Sequence, residues 1–236
     1  MAKSFSLKKL IISINILIVV TIFVLNWFYQ KNGFDFTLKC ICSSGFAILG
    51  FINLGFAVAS KRKGVSFFIL MTSGLAMAML GDVIIKYSFV LGATIFALGH
   101  ILFVIAYCFL EGMRWLDYVI IGILTTGSIA FLLLYPQLTF DNPLFKVVCV
   151  VYAIIICCML GKATGNFIRK RNAITLVIAV GSILFFFSDL MLLLDWFVGI
   201  WQWTDHACMG SYYPALCMLA ISMLVKTLID SKEKQK

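Results

Sequence analysis

Residues 65–110 read VSFFILMTSGLAMAMLGDVIIKYSFVLGATIFALGHILFVIAYCFL. Two apolar runs, Val65–Ile85 and Phe89–Leu110, are separated only by Lys86-Tyr87-Ser88. Each is close to the ~20 residues that cross ~30 Å of hydrocarbon at ~1.5 Å per residue. Both runs are continuous rather than alternating, which argues against transmembrane strands. The stretch predicts two membrane-spanning helices in succession. It also carries two polar side chains, Asp82 and His100, at depths where water is scarce.

The same pattern continues on either side. Further apolar segments run over Leu10–Phe28, Cys40–Ala59, Trp115–Tyr135, Leu144–Gly161, Ala173–Leu194 and Ala207–Ile229. The expected fold class is an all-α polytopic membrane protein of about eight transmembrane helices. Residues 1–236 form one transmembrane domain, with 231–236 as a short cytoplasmic tail. Composition agrees: 63% of residues are hydrophobic and 12% charged, and the mean hydropathy is +1.07. A water-soluble domain carries about 45–50% apolar and about 25% charged residues. Lipid must be the solvent for most of this chain.

The net charge of +9 does not point to nucleic acid, because the basic residues sit in short runs between apolar segments, such as Lys61-Arg62-Lys63 and Arg169-Lys170-Arg171. Of the 19 Lys and Arg, only Lys31, Lys39, Lys86 and Lys146 fall on the side opposite the termini. The positive-inside bias assigns both termini to the cytoplasm, in the inner membrane if the source is bacterial. The first run is too long for a signal peptide and ends in Asn26-Trp27-Phe28-Tyr29 rather than at small residues, so it reads as a retained helix. Cys108, Cys149, Cys157, Cys158 and Cys217 lie in apolar runs as small hydrophobes. Spacing alone would also allow a bridge from Cys208 to Cys40 or Cys42.

The predicted spans hold the carboxylates Asp82 and Asp189, together with His100 and no Lys or Arg at comparable depth. A charged carboxylate in hydrocarbon costs at least ~2.5–3.5 kcal/mol, so such groups face a cavity or a partner. One Asp is readily explained as an interhelical hydrogen bond. Two Asp and a His without a cation are harder to explain in that way. Their expected depths agree, and Tyr212 and Tyr213 enter the last span from the same side. Gly74, Ala78 and Asp82 share one face of their helix, as do Ser182 and Asp189. Gly92 and Gly99 form a small-residue face beside His100. Gly81-Asp82 and Ser188-Asp189 are each followed at the same offset by a glycine, Gly92 and Gly199, which hints at a four-plus-four parallel repeat.

At these residues the chain resembles the YhhN-like lysoplasmalogenase family of membrane hydrolases. The resemblance rests on Ser73 through Asp82, Phe96 through His100, Gly181 through Asp189, and Tyr212-Tyr213-Pro214-Ala215, spread over roughly Lys39 to Ser222. The chain departs from the family pattern at Cys40, where the family often has Pro, at Phe103, often Tyr, and at Leu216, often Gln.

The resemblance implies hydrolysis of the vinyl ether bond of a lysophospholipid, releasing a fatty aldehyde and a glycerophospho-base. Asp82 and Asp189 would then be the catalytic pair. One gives a proton to the vinyl carbon, and the other, ionised, stabilises the oxocarbenium ion and deprotonates the attacking water. His100, Tyr212 and Tyr213 would bind substrate or orient a carboxylate.

Zinc enzymes usually use three protein ligands, often His. Only His100 and His206 are available, with His206 expected in a loop; a mixed site with Asp82 and Asp189 stays open as the competing chemistry, while the expectation is no metal and no cofactor. The partners expected are the lysophospholipid substrate and membrane lipids. A transporter or lipid-binding protein that uses the buried Asp and His as a polar relay is the alternative class. Trp196, Trp201 and Trp203 read as interfacial anchors, and Asp195, Asp205 and His206 as solvated loop groups.

Overall fold

The computed structural model describes residues 2–199 and 203–233. It contains eight helices: α1 (Ala2–Lys31), α2 (Phe36–Ala59), α3 (Val65–Ile84), α4 (Phe89–Leu110), α5 (Trp115–Leu134), α6 (Pro143–Lys170), α7 (Ala173–Phe197) and α8 (Thr204–Glu233). All eight contain a segment long and apolar enough to span a membrane. Several starts are dictated locally. The Asp35 carboxylate accepts from Leu38 N at 3.0 Å, and Asn142 caps α6 ahead of Pro143 at its first position. Asn172 and Thr175 close a reciprocal capping box at the start of α7.

The helices differ from expectation mainly at polar ends. α6 continues past Gly161 through Lys162, Asn166 and Arg169, because those polar side chains have partners inside the protein. α8 continues through Glu233, and Ser231 is buried. Residues 234–236 and Trp201 lie outside the described residues. Asp195 lies in α7 and accepts from Thr204 at 2.9 Å, while His206 lies in the first turn of α8, 3.1 Å from Gln30. These groups are tied into the helix ends rather than free in a loop. All eight cysteines are free.

α8 is the most buried helix and α5 the least. The neighbour relations fall into pairs. α3 lies along α4 as α7 lies along α8, α1 along α2 as α5 along α6, and α2 along α3 as α6 along α7. Across the halves, α2 meets α8 as α6 meets α4. This is the pattern of two four-helix halves related by an axis along the membrane normal. Gly74 and Gly181 occupy corresponding close contacts, against Phe103 and Leu219 respectively. Gly92 and Gly199 do not correspond: Gly92 lies inside α4 against Ile85, while Gly199 has φ +61° in the link after α7. The repeat is therefore carried by other residues than those two glycines.

The two halves differ in two respects: the α3 backbone comes close to that of α8 while its counterpart α7 does not come close to that of α4 among the described residues, and the first helix of each half is placed differently. α1 packs along α8, where Asn26 Nδ2 donates to Met209 O at 3.2 Å. The backbone of its counterpart α5 comes close to that of α6 alone among the described residues.

A second charged cluster lies near the terminal end of the bundle. Lys162, fully buried, donates to Asp117 Oδ2 and to Gly112 O, both at 2.9 Å. Arg169 grips both oxygens of Asp117, at 2.6 and 3.1 Å. Asp117 is thus a third intramembrane carboxylate, and Lys162 a buried cation, neither of which hydropathy singled out. Beside them, Lys170 hydrogen-bonds Glu111 and holds its carboxyl below the usual range.

Candidate functional site

Asp82 and Asp189 come together in the half of the bundle opposite the termini. Both line a small cavity of about 10 Å³ with Lys39, Ser188, Cys208 and Tyr212. That volume is about what one water molecule requires. α3 supplies Asp82 in its last turn, and its small residues explain how. A side chain at Gly74 or Gly81 would strike Phe103 or Phe96, and one at Gly92 would strike Ile85. The absence of those side chains lets α3 and α4 approach closely.

Asp82 has a cation in reach, contrary to the expectation from sequence. Lys39 enters from the first turn of α2, and its Nζ lies 2.9 Å from Asp82 Oδ1. Ser43, one turn further on, donates to Asp82 Oδ2. Lys39 precedes its apolar run, and the charge pattern counts it only among the residues opposite the termini. Its four-carbon stem instead carries the ammonium inward along the helix.

Asp189 is held differently. Tyr152 of α6 donates to its Oδ2 at 2.6 Å, and His100 Nε2 approaches the same oxygen at 3.2 Å and the Tyr152 oxygen at 2.8 Å. Tyr152 spends its one proton on Asp189, so His100 carries a proton on Nε2. His100 Nδ1 faces Met159 Sδ at 3.3 Å. Neither hydrogen bond uses Oδ1 of Asp189.

Of the remaining residues singled out from sequence, Tyr212 lines the small cavity and donates to Ala78 O at 3.3 Å. Tyr213 lies behind it, 3.5 Å from Ser43 Oγ and 3.4 Å from Lys39 O. His100 is fully buried behind Asp189 and lines neither cavity. Among the described residues no three His, Cys, Asp or Glu side chains are grouped to hold a metal ion.

Sequence reasoning missed Lys39, Ser43 and Tyr152. A signal for them exists in the repeat. Lys39 and Tyr152 stand 113 positions apart, as do His100 and Tyr213, and each acid is approached by one member of both pairs. Asp82 meets Lys39 directly and Tyr213 through Ser43, while Asp189 meets Tyr152 and His100.

A second, larger cavity of about 220 Å³ adjoins the first and shares Asp189, Phe96, Ile85 and Leu192 with it. It lies among α4, α5, α6 and α7. Tyr152 and Asp189 are its ionisable oxygen groups, and most of the remaining lining is apolar.

A family model described as the YhhN family matches residues 42–223, well over half of the chain. That range takes in Asp82, His100, Tyr152, Asp189, Tyr212 and Tyr213, and begins just after Lys39. No curated protein and no solved structure matches.

Proposed function

This chain belongs to the YhhN family, and from that premise and the site geometry we propose that it hydrolyses the vinyl ether bond of lysoplasmalogens. The products are a fatty aldehyde and a glycerophospho-base. One observation carries the proposal: Asp82 and Asp189 face a single cavity with unlike surroundings, one paired with a lysine and the other held by a tyrosine and a histidine on one oxygen.

Unlike surroundings divide roles between two carboxyls. Asp189 is the acid. Tyr152 and His100 occupy its Oδ2, which leaves Oδ1 to carry the proton. That proton passes to the vinyl carbon remote from the ether oxygen, whose π electrons form the new C–H bond and leave an oxocarbenium ion. Asp82 is the base, its negative charge offset by Lys39. A water in the small cavity attacks the oxocarbenium carbon and gives its proton to Asp82. The hemiacetal hydroxyl then gives its proton to Asp189, Asp82 gives its newly gained proton to the glycerol oxygen, and the bond between that oxygen and the former vinyl carbon breaks, releasing the alcohol and the aldehyde and restoring both carboxyls. His100 is a positioning residue in this scheme, and Tyr212 is the tyrosine that borders the reacting groups.

The charge bias supports an orientation with both termini in the cytoplasm and the site toward the opposite leaflet. The test is to incubate purified protein with lysoplasmalogen and with the matching acyl lysophospholipid. Aldehyde release from the first alone is expected. No aldehyde, together with solute flux through liposomes that contain the protein, would replace this proposal with a transporter that uses the same polar relay.

A further inference from the structure

We infer that the larger cavity is a site for the single hydrocarbon chain of a lysolipid, entered sideways from the bilayer between α5 and the α4–α7 side. The assignment rests on the proposed hydrolase for its chemistry, but its geometry is independent of it. The cavity holds about 220 Å³ and is walled by groups such as Gly127, Phe131, Cys149, Ala153 and Leu193. The Ser128 hydroxyl in its wall is already engaged with Cys157 Sγ at 3.3 Å. An apolar space of this kind suits a hydrocarbon and offers a polar ligand little.

Its reactive corner is Asp189, the one acid that borders both cavities. A chain lying in the larger cavity would bring its first carbons to Asp189. The glycerol oxygen would then point toward the small cavity, where Asp82 and Lys39 sit.

The two halves are built differently where this cavity lies. In the first half α1 packs against α8, with Ile22 and Tyr29 buried and Asn26 bonded to Met209 O. In the second half the α5 backbone comes close to that of α6 but not to those of α4 and α7 among the described residues. Gly127 of α5 faces that space so openly that an added Cβ would meet nothing within 4 Å. The bundle is therefore parted on the α5 side in the same membrane half as the acids. A lipid already in the bilayer reaches Asp189 without crossing water.

The test uses photolabelling of the full chain in nanodiscs. The probe is a non-hydrolysable 1-O-alkyl lysophosphatidylcholine with a diazirine in the distal part of its chain. Two matched probes, a diacyl phosphatidylcholine and a free fatty acid, carry the same group. Labelled peptides from the lysolipid should map to residues 127–132 of α5 and 148–156 of α6. Gly127→Phe or Ala153→Phe, each folded by size-exclusion, should reduce that labelling by about tenfold or more, as overfilling a cavity predicts.

Labelling scattered over the lipid-facing surface, or unchanged in both variants, would overturn the site. Equal cavity labelling by the diacyl probe would overturn its selection of single chains. Labelling by the fatty acid but not the lysolipid would overturn the substrate assignment. Because the probe cannot be hydrolysed, cavity labelling by a protein that releases no aldehyde would remove the proposed reaction while the chain site stands. Aldehyde release without cavity labelling would do the reverse.

Discussion

Asn53 and Asn166 make the same hydrogen bond in the two halves of the chain. Asn53 Nδ2 donates to Ala220 O at 2.9 Å, and Asn166 Nδ2 donates to Tyr107 O at 3.0 Å. The donors differ by 113 positions (53 to 166) and so do the acceptors (107 to 220). Each bond ties the second helix of one half to the fourth helix of the other. That cross-linking between halves is also what brings His100 to Asp189 and Tyr213 to the Ser43–Asp82 pair.

Asn53 and Asn166 are both fully buried, so replacing either with Ala leaves a partner without its hydrogen bond. A lost buried bond of this kind costs ~1–3 kcal/mol. Asn53→Ala and Asn166→Ala should each lower the thermal midpoint in detergent, Asn53→Ala by more because it also breaks the reciprocal pair with buried Asn15. A variant that unfolds at the wild-type temperature would show that the matching bonds contribute nothing to the joint between halves.

Asp82→Asn and Asp189→Asn keep the shape of each side chain and remove its acid–base chemistry. Each should reduce aldehyde release by ~10²–10⁴-fold, the usual weight of a general acid or base. The measurement is single-turnover product formation at saturating lysolipid, with folding checked by size-exclusion. Near-normal turnover in either variant would take that residue out of the catalytic pair.

Lys39 offsets the charge of Asp82 from 2.9 Å away, on a side chain that is 14% exposed. Lys39→Met removes that charge at similar length and should cost most of the turnover. Lys39→Arg keeps the charge, although its planar fork does not reproduce a point ammonium. Partial rescue by Arg over Met is the expected order in the product assay. Equal activity of the two would mean that Lys39 supports packing rather than the charge on Asp82.

The helices were legible in the sequence because a membrane span must be long, apolar and closed on its own hydrogen bonds. α4 begins and ends where its apolar run does. α6 did not, because hydropathy scores Lys162 and Arg169 as water-seeking and is blind to Asp117 on the neighbouring helix. The acids and His100 stood out for the opposite reason, as polar residues in apolar runs. Lys39 escaped notice because a residue at the edge of a span can reach inward or outward, and only the position of Asp82 decides which. Tyr152 escaped because tyrosine is common in spans, and its hydroxyl gained meaning only from Asp189 at 2.6 Å.

The buried cluster at Asp117 makes the sharpest prediction about stability. Its carboxylate accepts from Lys162, from both terminal nitrogens of Arg169 and from Arg114 N. Lys162 and Asp117 have no exposed side-chain surface. Removing the acid strands a buried ammonium, and breaking a buried pair from one side costs ~3–5 kcal/mol. Asp117→Leu should therefore severely reduce the folded fraction in detergent. Lys162→Met should be milder, because Arg169 still neutralises the acid. Combining Asp117→Leu with Lys162→Met removes the stranded ammonium and should recover part of the loss, since an apolar replacement for a buried pair is often neutral. The folded fraction by size-exclusion and the thermal midpoint of the two single variants and the double variant give the coupling directly. A double variant no more stable than Asp117→Leu alone would mean that the cost arises from Arg169, or from the freed Arg114 N–H at the start of α5, rather than from the buried lysine.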